Sequence, residues 1–167
     1  DLFSGSGVVA RRLKQYASRL YTNDLENYSY VINDCYLTNK EDFNVNFYFS
    51  CLEKVLTHPS VEGVITQNYA PKDDNNIQEG ERAFYTHNNA ITIDTLRAAI
   101  DEYVPESYKK FFLAPLLYEA SVHANTSGVF KGFYKSKQKD VGKFGGEGGN
   151  AIGRIIGKIE LKQPILS

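Results

Sequence analysis

The residues of this 167-residue chain whose types and spacing could do chemistry are Asp1-Leu2-Phe3-Ser4-Gly5-Ser6-Gly7 and, further on, Asp24. Two glycines one residue apart let the backbone take positive φ and come close to a ligand. A helix start behind them would offer unbonded N–H groups to a polar or anionic group. Asp24 closes a second segment, at the position where an acid binds a ribose hydroxyl pair. Gly5-Ser6-Gly7-Val8-Val9-Ala10 formally fits the G-x-G-x-x-A turn of dinucleotide sites. A carboxylate at Asp1, beside that turn, would however repel a pyrophosphate. It suits a ligand with a positive amino group and a sulfonium, which is S-adenosylmethionine. A nicotinamide cofactor is the less favoured ligand. The reading without a ligand makes Asp1 and Asp24 caps of their loops.

These groups must be held by elements. Residues 1–4 read as the end of a strand, and apolar positions 9, 10, 13, 16 and 17 recur at helical spacing. Residues 19–24 read as a short strand ending on the Asp24 carboxylate. Tyr28, Val31, Ile32, Cys35 and Tyr36 return to helical spacing. Strand end, helix, strand and helix predict the start of a doubly wound α/β unit. Beyond residue 38 the pattern is mostly helical. Helices are predicted over 43–56, stopped by His58-Pro59, over 91–103, and over about 107–124 with Pro115 kinking it or in its first turn. Residues 61–69 read as extended or irregular and 70–76 as an exposed loop. A short helix over 151–158 and a strand-like 159–161 follow the glycine-rich stretch 142–149.

A net charge of −1 hides an asymmetry. Residues 128–167 hold eight Lys/Arg against three acids, whereas the first 127 hold 11 against 17. A basic last quarter on an acidic body is a candidate polyanion face. Within it Lys131, Lys135, Lys137, Lys139 and Lys143 alternate with Phe130, Phe133, Tyr134 and Phe144. Lysines can neutralise phosphates and a glycine-rich backbone can approach a groove. The plainer reading is core aromatics and solvated lysines. Arg82 and Arg97 are further candidates for phosphate. Cys35 and Cys51, the two cysteines, lie in apolar stretches and read as buried free thiols in a reducing compartment. Three scattered histidines predict no metal site. No apolar run reaches the roughly 18 residues of a membrane span.

Asp1-Leu2-Phe3-Ser4-Gly5-Ser6-Gly7 resembles the cofactor motif of adenine-specific DNA N6-methyltransferases of the Dam-like, alpha-type arrangement. Tyr21-Thr22-Asn23-Asp24-Leu25-Glu26 is similar to the family's second motif. Arg82-Ala83-Phe84-Tyr85-Thr86, Ile93-Asp94-Thr95-Leu96-Arg97 and Asn125-Thr126-Ser127-Gly128-Val129-Phe130-Lys131-Gly132-Phe133 are similar to segments of its restriction–modification members, in the region that carries target recognition. The resemblance implies an α/β fold: a partial Rossmann-like S-adenosylmethionine-binding core over 1–38, a mostly helical target-recognition insertion over 39–160, and a return toward the core over 161–167. It implies Asp1, Phe3, Ser4, Gly5, Gly7, Asp24 and Leu25 at the cofactor, with Glu26 as a helix cap. It implies Asn125, Ser127, Lys131, Lys135, Lys137, Lys139 and Lys143 toward double-stranded DNA, and a bacterial cytoplasmic enzyme.

One departure bears on mechanism. The family's catalytic motif is Asp-Pro-Pro-Tyr, and no two prolines of this sequence are adjacent. The motif is expected beyond Ser167, so the chain is expected to be an inactive piece of a longer protein, with no catalytic residue of its own and with exposed sheet edges that favour self-association. A non-catalytic nucleotide-binding module is the alternative, since it needs no such motif.

Overall fold

A computed structural model describes residues 1–126, 132–136, 140–149 and 151–166. The elements in chain order are α1 (Val8–Lys14), α2 (Asn27–Tyr36), a 3-10 turn (Lys40–Asp42), α3 (Val45–Leu56), α4 (Val64–Tyr69), α5 (His87–Tyr103), α6 (Glu106–His123) and α7 (Ile152–Ile156). None of these is long and apolar enough to cross a membrane.

The helices have local causes. Asn44 caps α3 by accepting the Phe47 N–H at 3.0 Å, and His58-Pro59 follows its end. The Thr86 hydroxyl accepts the Asn89 N–H at 3.3 Å at the start of α5, and Pro105 separates α5 from α6. Pro115 does not sit in the first turn of α6: it is buried inside the helix.

Two expectations are corrected. Residues 64–69 form a helix rather than extended chain. Its cause lies elsewhere in the sequence: the buried Asp94 carboxylate on α5 accepts the N–H groups of Gly63, Ile65 and Thr66 at 2.9, 3.1 and 2.7 Å and the Thr66 hydroxyl at 2.6 Å. The second correction concerns strands. No strand is formed among the described residues, at 1–4, at 19–24 or at 159–161, and the only β-bridge among them is the isolated antiparallel pair Lys135 and Gly142. The first two segments nevertheless lie side by side. The Asp1 nitrogen donates to the Tyr21 carbonyl at 2.9 Å, the Asn23 N–H to the Asp1 carbonyl at 2.9 Å, and the Ser4 N–H to the Asn23 carbonyl at 3.0 Å. One residue bonding to j−1 and j+1 of its neighbour is the parallel pattern. It slips by one at Ser4, where the chain bends into the glycine turn, and so never becomes a ladder.

The chain forms two compact units. The first comprises Asp1–Thr57, Ile100–Leu117 and Leu161–Ser167, the second His58–Ala99 and Tyr118–Glu160. The first unit is centred on rings: Tyr48 stacks on Phe112 at 4.5 Å between centroids, and Phe111 meets Phe43 at 4.8 Å and Tyr108 at 5.0 Å. Cys35 and Cys51 are buried and free. Burial pushes the Cys35 thiol up to about 12, so it stays protonated and unreactive at neutral pH. The second unit packs Ala83, Tyr85, Ala90, Ile93 and Leu96 with Ile155 and Ile159. There Asn89 donates to the carbonyls of Ile155 and Gly157 at 3.4 and 2.8 Å and accepts the Ile159 N–H at 3.2 Å.

Candidate functional site

Ser4 is the buried pivot of the first turn. Its hydroxyl donates to the Asn23 carbonyl at 3.1 Å, lies 3.3 Å from the Ser29 hydroxyl and accepts from the Asn33 amide at 3.2 Å. The chain then turns through Gly5 at φ +48° and Gly7 at φ +70°. Both values favour glycine, but the two positions differ in space. Gly5 has nothing within 4 Å of where a Cβ would sit, whereas a Cβ at Gly7 would lie 2.5 Å from the Asn33 Oδ1. Gly7 is therefore needed for packing on α2, and Gly5 leaves room for a ligand above the turn.

Asp24 clasps that turn. Its Oδ2 accepts the Gly5 N–H at 2.8 Å and its Oδ1 accepts the Glu26 N–H at 3.1 Å. The Gly5 N–H, then that of Glu26, hold the carboxyl below its ordinary value; desolvation opposes them, and the Leu25 N–H adds the smallest effect. A carboxylate has about four lone-pair sites, so each oxygen keeps acceptor capacity. Two acceptors on one rigid carboxylate match a pair of vicinal hydroxyls. Phe3 and Leu25 stand 88% and 94% exposed near the clasp, and Asp1 is exposed as well. Glu26 holds the N-cap position of α2 without a side-chain cap bond.

Ser4 and Asp24 also border a cavity of about 730 Å³ in the first unit, which runs past Tyr30, Asn33 and Asp34 to Tyr108. Asp1, Phe3, Gly5, Gly7 and Leu25 do not line it. Ser29 and Asn33 are site residues that sequence reasoning misses. Their one signal is a spacing of four on a helix, which reads equally well as a solvated face. The Asn33 Oδ1 is the buried side-chain oxygen that lacks a hydrogen-bond partner among the described residues.

Of the residues expected at DNA, Ser127, Lys131, Lys137 and Lys139 lie outside the described residues. Lys135 is exposed, pairs with Asp140 at 3.1 Å and sits 5.7 Å over the Phe133 ring. Lys143 is half-buried and its N–H donates to the Tyr134 carbonyl at 2.9 Å. Asn125 stands apart from them. It is fully buried, donating to the carbonyls of Ala83 and Lys143 at 2.7 and 2.8 Å and accepting the Gly145 N–H at 3.0 Å. It is spent on fixing the loop that carries Lys143. Arg154, not foreseen, ends α6: its guanidinium donates to the carbonyl of Val122, to that of Ala124 at 3.0 Å and to that of Thr126 at 3.4 Å.

Comparison with known proteins adds an independent finding. The family described as D12 class N6 adenine-specific DNA methyltransferase matches residues 1–144. The chain is 33% identical over 144 residues to Type II methyltransferase M.NlaIII of Neisseria lactamica, covering 83% of this chain and 41% of that protein. It is 30% identical over 142 residues to Type II methyltransferase M.CviAII of Paramecium bursaria Chlorella virus 1, again 83% and 41%. It is 31% identical over 148 residues to Modification methylase LlaI of Lactococcus lactis subsp. lactis, covering 81% and 22%. The chain thus spans about two-fifths of the length of the first two relatives. No solved structure matches it.

Proposed function

Because the chain belongs to the D12 class of N6 adenine-specific DNA methyltransferases, we propose that it supplies the cofactor cradle and the target-recognition region of a restriction–modification enzyme that methylates adenine N6 in double-stranded DNA. The observation that carries this reading is the clasp between the Gly5 N–H and the Asp24 carboxylate at 2.8 Å. It ties together two motifs 19 residues apart. S-adenosylmethionine, when bound, would supply a methyl group on a sulfonium. Asp24 would hold its ribose hydroxyls, Asp1 would face its positive end, Phe3 and Leu25 would flank its adenine and methionine parts, and Ser4, Gly5 and Gly7 would set the turn. Fixing donor and acceptor in line is where much of the rate of such a transfer arises.

The parallel contact of residues 1–4 with 21–23 supports a Rossmann-like sheet completed by further strands. The acceptor adenine would be flipped from the duplex and met by an Asp-Pro-Pro-Tyr motif that this sequence does not contain. The functional division is proposed as 1–38 for the cofactor core, 39–160 for recognition and 161–167 for the return to the core, in a bacterial cytoplasmic protein. Leu2, Phe3, Val8, Val9 and Tyr21 are 60–88% exposed, which favours self-association of the isolated chain. Light scattering at rising concentration should find mass growth, and a constant monomer mass would remove that part of the proposal.

The function is tested by labelled-methyl incorporation into duplex DNA. The chain alone is expected to transfer none. The same chain within a full-length methyltransferase is expected to label adenine N6. Labelling by this chain alone would place catalysis within it and reverse the assignment. For DNA, Lys131, Lys135, Lys137, Lys139 and Lys143 are the proposed phosphate contacts. Replacing Lys131, Lys135 and Lys143 with alanine should flatten the slope of log K against log salt by about 0.9 for each phosphate no longer neutralised. An unchanged slope in a fluorescence-anisotropy salt series would mean these lysines are solvated bystanders.

A further inference from the structure

The second unit contains a cleft of about 540 Å³ that the reading above leaves unused, lined by Gln67, Asn68, Lys72, Glu81, Arg82 and His87 among others. Its conspicuous member is Arg82, which is exposed and whose guanidinium sits 5.5 Å over the Tyr69 ring. A guanidinium held over a ring by a cation–π contact loses part of the freedom of its stem, and its planar fork keeps paired donors to offer. Tyr69 meets Phe84 edge-on at 5.8 Å, and Phe84 meets Phe133 at 5.1 Å. Phe133 in turn carries the Lys135 ammonium at 5.7 Å. One run of aromatic rings therefore has a cation at each end.

The backbone repeats the connection. A Cβ at Gly142 would come 2.9 Å from the Ala83 Cβ and 3.4 Å from Ile77. The loop bearing Lys143 thus packs directly on the segment bearing Arg82.

The chemistry of the cleft favours a base edge over a phosphate. Glu62 and Glu81 balance Lys72 and Arg82 in its walls, so the cleft offers a phosphodiester no excess of positive charge. The Glu81 carboxylate is held in place by the N–H groups of Lys72 and Gln78 at 3.1 and 2.7 Å. Gln67 and Asn68 each bind a backbone carbonyl with one amide N–H, at 3.2 and 3.0 Å. This fixes the orientation of neutral amides on the cleft wall. In a cleft whose charges balance and whose amides are held, a planar guanidinium offers the paired donors that the O6 and N7 acceptors of guanine take in the major groove.

We infer that Arg82, which lies over Tyr69 in the cleft of Gln67 and Asn68, is a specificity-determining residue that reads a guanine edge in the DNA target. This rests on the DNA-methyltransferase reading and deepens it.

The test is selection of bound duplexes from a randomised library by the wild-type chain, by Arg82→Ala and by Arg82→Lys, with circular dichroism melts as a check on folding. The wild type should enrich a motif containing a guanine. Both variants should lose about tenfold or more of the preference at that one position. Arg82→Lys, which keeps the charge and loses the planar fork, should lose the guanine preference while losing less affinity for unselected DNA than Arg82→Ala does. If the wild type binds duplex DNA with a preference that both variants leave unchanged, or with no guanine preference at all, the Arg82 assignment is overturned while DNA binding stands. If the wild type binds no duplex DNA at low salt, the reading of 39–160 as a DNA-recognition region falls, and this inference with it.

Discussion

Asp24→Ala in a full-length methyltransferase should weaken S-adenosylmethionine binding by about a hundredfold, measured by isothermal titration calorimetry. The magnitude would follow from the loss of the two charge-assisted hydrogen bonds proposed between the Asp24 carboxylate and the ribose hydroxyls. The substitution also frees the Gly5 and Glu26 N–H groups that the carboxylate holds at 2.8 and 3.1 Å, so the cradle loses shape as well as a ligand. Asp24→Asn separates the two effects. It keeps one carbonyl acceptor for a backbone N–H and gives up the charge, and an intermediate loss is expected. The pH dependence has a definite sign. The folded carboxyl titrates below its ordinary value of 3.8 because Gly5, and then Glu26, hydrogen-bond to the ionised form. The clasp is thus complete above pH 3.8 and is lost as pH falls through the lowered folded value. In the chain itself, the amide resonance of Gly5 should follow that titration, with a midpoint under 3.8. Equal cofactor affinity for wild type and Asp24→Ala would remove Asp24 from the site.

How much of this is legible in the sequence depends on whether the cause of a feature is local. α2, α3, α5 and α6 are readable to within a few residues because their apolar spacing, Asn44 and Pro105 are near neighbours in sequence. α4 is not. Its six residues are too short to establish a period, and its cap, Asp94, lies about thirty positions away. The two strand-like segments are legible as extended chain, but a ladder depends on pairing partners, and the slip at Ser4 follows from the glycine turn behind it. The glycine turn is legible because positive φ at Gly5 and Gly7 restricts residue type strongly. Ser29 and Asn33 are hidden because the same residue types serve a solvated face. Arg82 is visible only as a charge. Its position over Tyr69 depends on the chain folding back on the end of α4, where the Phe84 and Tyr85 N–H groups both donate to the Tyr69 carbonyl at 2.9 and 3.1 Å.

Asn125 carries the sharpest contrast between residue type and role, and Asn125→Ala should have the largest effect on stability. A polar residue in a stretch resembling a recognition loop reads as a DNA contact. In the structure its side chain is wholly buried and satisfies the Ala83 carbonyl, the Lys143 carbonyl and the Gly145 N–H. Alanine would orphan all three in a buried site. At about 1–3 kcal/mol for each unsatisfied buried group, the total loss should be on the order of 3 kcal/mol or more, or roughly 6–12 °C in Tm for a chain of this size. Affinity for DNA should fall with it, because the anchor between Ala83 and Lys143 holds the lysine-bearing loop on the Arg82 segment. The two effects separate the two roles. If Asn125 touched DNA and supported nothing, alanine would weaken DNA binding and leave the melting temperature unchanged. Arg82→Ala, at an exposed position, should do the reverse of the structural case: an altered base preference at an unaltered Tm. A thermal melt and an anisotropy titration on the two variants together decide between them, and an Asn125→Ala protein that melts like wild type would return Asn125 to the DNA face.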